Sequence, residues 1–123
     1  MKCWIVKKGN KSVRDILIKD KNGATVTNLA DATGIKFQIK EGRTDAVAKV
    51  EKTVGDGITI LTGDDLGKLR ITLLPADTGV TLSVFKYYMG LQITWSPTDI
   101  YEVKITIDGK EAEYFEVKQD TVQ

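Results

Sequence analysis

The chain has 123 residues, of which 41% are hydrophobic and 28% charged, and its net charge is +1. This composition is typical of a folded globular domain, and no apolar run approaches the roughly 18–20 residues that a membrane helix requires. With no histidine and a single cysteine, the sequence excludes an internal disulfide and every histidine-based catalytic or metal site.

The length predicts a single domain covering residues 1–123. The apolar stretch at 3–6 is far too short for a signal peptide, so we expect synthesis in a cytoplasm. Basic residues are dispersed and are not interleaved with aromatic ones, which argues against nucleic-acid binding. Residues 1–60 contain 12 basic and 7 acidic residues, whereas 61–123 contain 6 and 10. This asymmetry either guides packing between copies or has no function.

Apolar and polar residues alternate along nearly the whole chain, which is the period of a half-buried strand. The pattern predicts eight or nine short strands, near residues 3–7, 13–19, 34–40, 46–53, 57–61, 68–73, 87–95, 101–107 and 112–118. Glycine-containing turns separate them, and Asp108-Gly109 is a strong hairpin signal. Only residues 28–33 and 75–79 are candidates for short helical turns. Many short strands of this kind predict an all-β antiparallel sandwich or barrel.

The stretch LPADTG, residues 74–79, is similar to the signal by which sortases anchor proteins to cell walls. That signal has one residue between its proline and threonine, whereas two separate Pro75 from Thr78 here, and no hydrophobic span follows. We therefore expect a connection between strands. Pro75 suits the start of a helical turn, Asp77 and Thr78 can bond nearby backbone amides, and Gly79 permits a left-handed exit.

Residues with potential chemistry do not form a recognisable catalytic or metal-binding pattern. Cys3 has no histidine to activate it. Asp64 and Asp65 precede Gly67 and are expected to cap and solvate a turn, although an acid pair or a metal site is the alternative. The segment from Asp20 to Gly23 matches part of a calcium loop but lacks its other ligands. We predict no enzyme, no metal and no cofactor.

Aromatic residues provide the remaining signals. Alternation places one face of the strand near 87–95 in the core, namely Tyr87, Met89, Leu91, Ile93 and Trp95. It turns Tyr88 towards solvent, and an inward Phe115 likewise turns Tyr114 outward. The two tyrosines form either a recognition surface or a cross-strand pair that stabilises the sheet.

Six segments occur in an order that resembles a known family. They are VKKGN, DILIKD with the turn KNGATV, NLADATGIKFQIK, GKLRITLLPADT, the tyrosine-led YYMGLQITW, and the closing FEVKQD. Together they resemble the N-terminal domain of tailed-phage baseplate upper proteins and related small immunoglobulin-like virion domains.

The resemblance implies an immunoglobulin-like β-sandwich that acts as a structural component of a virion, made in the cytoplasm of a bacterial host. Its partners would be other virion proteins and copies of itself, in the baseplate or tail. The alternatives are a capsid decoration or head-fibre attachment protein, or a carbohydrate-binding module that stacks glycans on exposed aromatics.

The segment GVTLSVFK, residues 79–86, stands where that family has a short polar turn. The alternation of Val80, Leu82 and Val84 predicts that the following strand is extended through this segment. Phe85 would then face the opposite way from that stripe. We therefore expect Phe85, more than Tyr88 or Tyr114, to be the residue that contacts a neighbouring protein.

Overall fold

Nine β-strands make up most of the computed structural model, which describes residues 2–19, 22–42, 47–82, 85–96, 99–107 and 110–118. They are β1 (Lys2–Lys7), β2 (Ser12–Lys19), β3 (Gly34–Lys40), β4 (Val50–Val54), β5 (Gly57–Ile60), β6 (Lys68–Leu73), β7 (Phe85–Ser96), β8 (Asp99–Ile107) and β9 (Lys110–Lys118). Short 3-10 turns at Leu29–Asp31 and Gly63–Asp65 and a π-helical turn at Asp77–Thr81 complete the regular structure. The all-β prediction is confirmed.

The strands form one mixed sheet in the order β1-β9-β7-β3-β4-β5-β6-β2-β8. Within it, β9, β7, β3 and β4 lie side by side, as do β5, β6 and β2, so the sheet has two halves, which meet at the short β4–β5 pairing. Strand β8 pairs with both β2 and β7 and so joins the two halves. The result is nearly barrel-shaped.

Two pairs in the sheet are parallel, which corrects the expectation of a wholly antiparallel arrangement. Strand β1 runs parallel to β9, its distant partner in sequence, so no tight turn needs to join them. Strands β4 and β5 are parallel over only two residue pairs. The short connection between these two strands turns sharply, which the positive φ values of Gly55 (86°) and Gly57 (99°) permit.

The core follows the predicted alternation. Strand β3 buries Ile35, Phe37 and Ile39 while the residues between them are half-buried. Strand β6 buries every second residue in the same way. The three largest fully buried side chains are Trp4, Phe37 and Phe115, from strands at the two ends and the middle of the chain. Long-range aromatic packing therefore closes the fold.

The segment after β6 agrees with the prediction only in part. A π-helical turn at Asp77–Thr81 confirms the helical turn expected near 75–79, whereas the expected strand extension is wrong at Val80 and Leu82; Val84 lies outside the described residues. The Thr78 side chain at the start of this turn is buried, and its hydroxyl bonds to backbone carbonyls. Gly79 was expected to have a positive φ, but it does not. It is required by a close approach instead, because an added Cβ would lie 3.0 Å from the Cα of Gly9.

Two further predictions are corrected in part. Trp95 was expected in the core but is only partly buried and packs against the core, because it lies near the end of β7. The predicted strand at 46–53 is shorter, since β4 begins at Val50. Asp20 and the Asp108-Gly109 turn lie outside the described residues.

Candidate docking site

Tyr88 and Tyr114 are opposite each other on β7 and β9. Their rings are 5.2 Å apart, centroid to centroid, at an interplanar angle of 43°. Both side chains are half-buried, and both occupy the positions that alternation turns away from the core. The prediction that they lie on neighbouring strands is confirmed, and the contact is the cross-strand pair that stabilises a sheet.

Lys86 covers part of this pair. Its Nζ lies over the Tyr114 ring, 4.5 Å from the ring centroid, which is cation–π geometry. A sugar would have to displace Lys86 to stack on that side of Tyr114. The arrangement therefore favours a stabilising pair over a glycan platform.

Phe85 is the first residue of β7 and has 45% of its surface exposed. Its ring meets the edge of Tyr87 at a centroid distance of 4.9 Å, while Tyr87 itself is buried. Phe85 pairs with Val117 of β9, which is buried in the core, so the exposed ring lies at the edge of the core. One side of the Phe85 ring therefore packs against Tyr87, and the other side is exposed to solvent.

The LPADTG segment is attached to the strands around it by polar contacts. The carboxylate of Asp77 accepts a hydrogen bond from the Leu74 amide at 2.9 Å and lies 2.9 Å from Nζ of Lys52. The Thr78 hydroxyl donates to the carbonyl of Asn10 at 2.8 Å. These contacts confirm the structural role predicted for Asp77, whereas Thr78 bonds carbonyls rather than amides.

The Lys8 ammonium completes this attachment by donating to the carbonyls of Gly79 and Leu82, at 3.0 and 3.2 Å. The segment therefore fills the space between the β1–β2 turn and β4. The Asp77 carboxylate, the Thr78 hydroxyl and the Gly79 carbonyl are thus bonded within the fold. In a covalent anchoring signal, these groups would have to be accessible to an enzyme.

The acidic residues singled out from the sequence are not gathered into a metal-binding cluster in the part of the chain that the structure describes. No group of three or more cysteine, aspartate or glutamate side chains is placed to hold a metal ion there. Asp64 and Asp65 are exposed in the second 3-10 turn, and Asp65 pairs with Lys68 at 3.3 Å. In the same described ranges, no helix has the length and apolar character needed to cross a membrane.

The Asp15–Arg70 pair is the most regular electrostatic contact on the surface. These residues are cross-strand partners on β2 and β6. Arg70 donates two hydrogen bonds to the carboxylate, Nε to Oδ1 at 2.8 Å and Nη2 to Oδ2 at 3.1 Å. Chiefly through this bonding, the pKa of Asp15 is lowered from its ordinary value.

Sequence reasoning missed one exposed apolar residue beside the tyrosines. Ile5 of β1 is 46% exposed and lies opposite Glu116, two residues from Tyr114 along β9. The continuous apolar stretch at 3–6 gave no alternation that would mark Ile5 as outward, and the pairing of β1 with β9 could not be read from the chain.

No protein-family model matches the chain, and no curated protein matches it.

Proposed function

We propose that the chain is a non-enzymatic structural domain of a tailed-bacteriophage virion, which docks parts of the baseplate or tail through protein–protein contacts. The support from the sequence is the ordered resemblance of six segments to phage immunoglobulin-like domains. The support from the structure is Phe85. Capsid decoration or head-fibre attachment is the alternative within the same class.

Phe85 carries the proposal because of how it is exposed. A phenylalanine that is 45% exposed loses part of the free energy that burial would supply, yet its edge contact with Tyr87 keeps it in a defined position. Ordered aromatic side chains at the surface are enriched in protein interfaces, since they bury a large area at a small cost in entropy. Phe85 is therefore the residue that a partner would cover.

A complementation experiment tests this proposal. The gene would be deleted from the phage that encodes it and supplied in trans as wild type, as Phe85→Ser or as Val54→Ser. We expect the wild-type chain and Val54→Ser to co-purify with intact virions, and Phe85→Ser to be lost from them. Val54 is a matched control because it is an apolar strand residue with 48% exposure.

The thermal stability of each purified variant would be measured alongside. Phe85→Ser should remain folded, with a loss of about 0.5–1.5 kcal/mol from the broken aromatic contact. The proposal fails if the wild-type chain is absent from virions. The role of Phe85 fails if Phe85→Ser is incorporated normally or does not fold.

A further inference from the structure

Strand β1 lies at an edge of the sheet, and β9 is its one strand partner among the described residues. Strand β2, which follows β1 in the chain, pairs with β6 and β8 instead. In the described part of the structure, the side of β1 that faces away from β9 therefore has no strand beside it. An edge of this kind is where a further strand can add to a sheet.

Hydrogen bonds at the end of β1 show which backbone groups lie on this free edge. The Lys8 amide donates to the Lys118 carbonyl at 2.8 Å, so it points towards β9. Successive residues of a strand direct their backbone groups to opposite sides, so those of Ile5 and Lys7 point away from β9. The Lys7 carbonyl agrees with this direction, because it accepts a hydrogen bond from the Asn10 amide in the following turn at 3.1 Å. The two backbone groups of Ile5 and the Lys7 amide are thus directed towards the free edge.

Ile5 provides apolar surface next to these groups. Its side chain is 46% exposed and lies opposite Glu116, which itself faces Lys86 on β7. Trp4 and Val6 on either side of it are buried, so packing of the opposite face of β1 keeps Ile5 on the outer face of the sheet. A strand added beside β1 would place one of its own side chains next to Ile5 and cover it.

The end of β1 is basic. Lys7 and Lys118 are opposite each other in the β1–β9 ladder, and both side chains are exposed. The turn that follows, residues 8–11, adds two lysines and contains no acidic residue. Asp77 of the adjoining π-helical turn is paired with Lys52 at 2.9 Å. Because like charges opposite each other destabilise a sheet, an acidic side chain in an added strand would be favoured at this end.

We infer that the free edge of β1 binds an extended, acidic segment of another protein, which adds to the sheet as an antiparallel strand. An apolar residue of that segment lies beside Ile5, and an acidic residue two positions earlier lies beside Lys7. Residues before these continue over the turn at 8–11 and meet its lysines. Main-chain hydrogen bonds supply affinity, and the side-chain positions supply selectivity. The inference is independent of Phe85 and of membership of a virion.

A second copy of the chain fits this edge less well than an acidic segment. Strand β1 itself, KCWIVK, contains no acidic residue, so pairing two copies of it would place nothing negative beside Lys7. Lysines on edge strands are a common means by which proteins prevent such self-pairing. Lys7 therefore acts against a second copy and in favour of an acidic strand.

Hydrogen exchange followed by NMR tests the edge directly. In the free protein, the Ile5 and Lys7 amides should exchange faster than those of Trp4 and Val6, which point towards β9. The probe is a short synthetic peptide with a run of glutamates followed by alternating valine and threonine. At a peptide concentration about ten times its Kd, exchange at Ile5 and Lys7 should slow by about tenfold. No binding at millimolar peptide would overturn the inference.

Ile5→Pro tests the backbone contribution. It removes an N–H that faces the free edge and leaves the hydrogen bonds between β1 and β9 in place, and proline is tolerated at such positions of edge strands. We expect a folded protein by circular dichroism that binds the peptide about tenfold more weakly or worse. Ile5→Thr keeps the N–H and is the matched control. Equal binding by the two folded variants would contradict strand addition.

Charge reversal tests the side chains without altering the backbone. Lys7→Glu should bind the glutamate peptide about fivefold more weakly and a lysine version of it more tightly, since like and opposite cross-strand charges exchange places. Unchanged preference between the two peptides would contradict the acidic partner. Binding that leaves exchange at Ile5 and Lys7 unaltered would show a purely electrostatic contact. Protection that appears on concentrating the protein alone would make the occupant a second copy, and either of these last two results overturns the inference.

Discussion

Trp4 shows how a single side chain joins distant strands. Its ring packs against Phe37 at a centroid distance of 5.8 Å and meets Phe115 edge-on at 5.2 Å. The indole N–H donates to Oγ of Ser12 at 3.1 Å, so the one polar atom of this buried side chain is satisfied. Strands β1, β2, β3 and β9 thus meet at one residue.

Trp4→Ala should reduce the free energy of unfolding by about 3–5 kcal/mol, as expected for removing a fully buried large aromatic. Trp95→Ala should cost clearly less, because Trp95 is only partly buried. Urea unfolding followed by circular dichroism measures both losses. Equal losses, or a larger one for Trp95, would contradict the burial that separates the two tryptophans.

Asp15 predicts a dependence of stability on pH. Its pKa is lower in the folded protein than the ordinary value of 3.8, chiefly because Arg70 donates hydrogen bonds to the ionised carboxylate. The stabilisation is fully present above pH 3.8 and is lost as the pH falls through the lowered pKa. Asp15 is largely exposed, so solvent screening keeps the effect small.

Asp15→Asn should therefore unfold at a slightly lower urea concentration than wild type at pH 7. The difference between the two proteins should shrink as the pH is lowered below 3.8. Parallel urea titrations at pH 7 and at acid pH provide the measurement. A difference that grows at acid pH would reverse the sign assigned to this pair.

At the scale of elements, the π-helical turn depends on side chains outside it. Lys52 of β4 and Asp77 have exposed side-chain fractions of only 11% and 18%, so their ion pair is largely protected from solvent. The stem of Lys52 also passes over Gly57, where an added Cβ would come within 2.6 Å of it. The turn, β4 and the start of β5 are thus fixed by one lysine.

Asp77→Asn should cost about 1–3 kcal/mol, because it leaves the Lys52 ammonium half-buried without its carboxylate. Asp64→Asn, in an exposed turn, is the control and should be close to neutral. Thermal unfolding at neutral pH compares the two. Equal stability of the two variants would show that the protected ion pair contributes nothing.

Strands could be predicted well from the sequence because alternation is a local signal. Strand β3 was predicted with its observed bounds, and β6 likewise. A helical turn near 75–79 was expected, but its continuation to Thr81 was not, since Val80, Leu82 and Val84 also alternate in the sequence. Contacts of Gly79 with Lys8 and of Thr78 with Asn10, both in the distant β1–β2 turn, decide its shape. Local pattern and tertiary contact disagreed, and the tertiary contact determined the structure.

The candidate site was only partly accessible from the sequence. The outward phase of Tyr88 and Tyr114 follows from alternation, but their pairing requires the β7–β9 register.

At the scale of the whole molecule, β8 is one of two links between the halves of the sheet, the other being the short β4–β5 pairing. It pairs with β7 through Leu91 and its neighbours and with β2 through Ile18 and its neighbours. It also pairs with the start of β9. The two halves of the sheet are therefore joined by backbone hydrogen bonds as well as by the core, which gives the sheet its nearly barrel-like shape.

The parallel pairing of β1 with β9 also determines when the protein can finish folding during its synthesis. Among the described pairings, β1 has β9 as its one partner, and β9 ends 111 residues after β1 does. At translation rates of about 5–20 residues per second, the ribosome needs roughly 6–22 s to cover that distance. During this interval Trp4 lacks Phe115, and the first strand of the chain must wait for the last before the core can close.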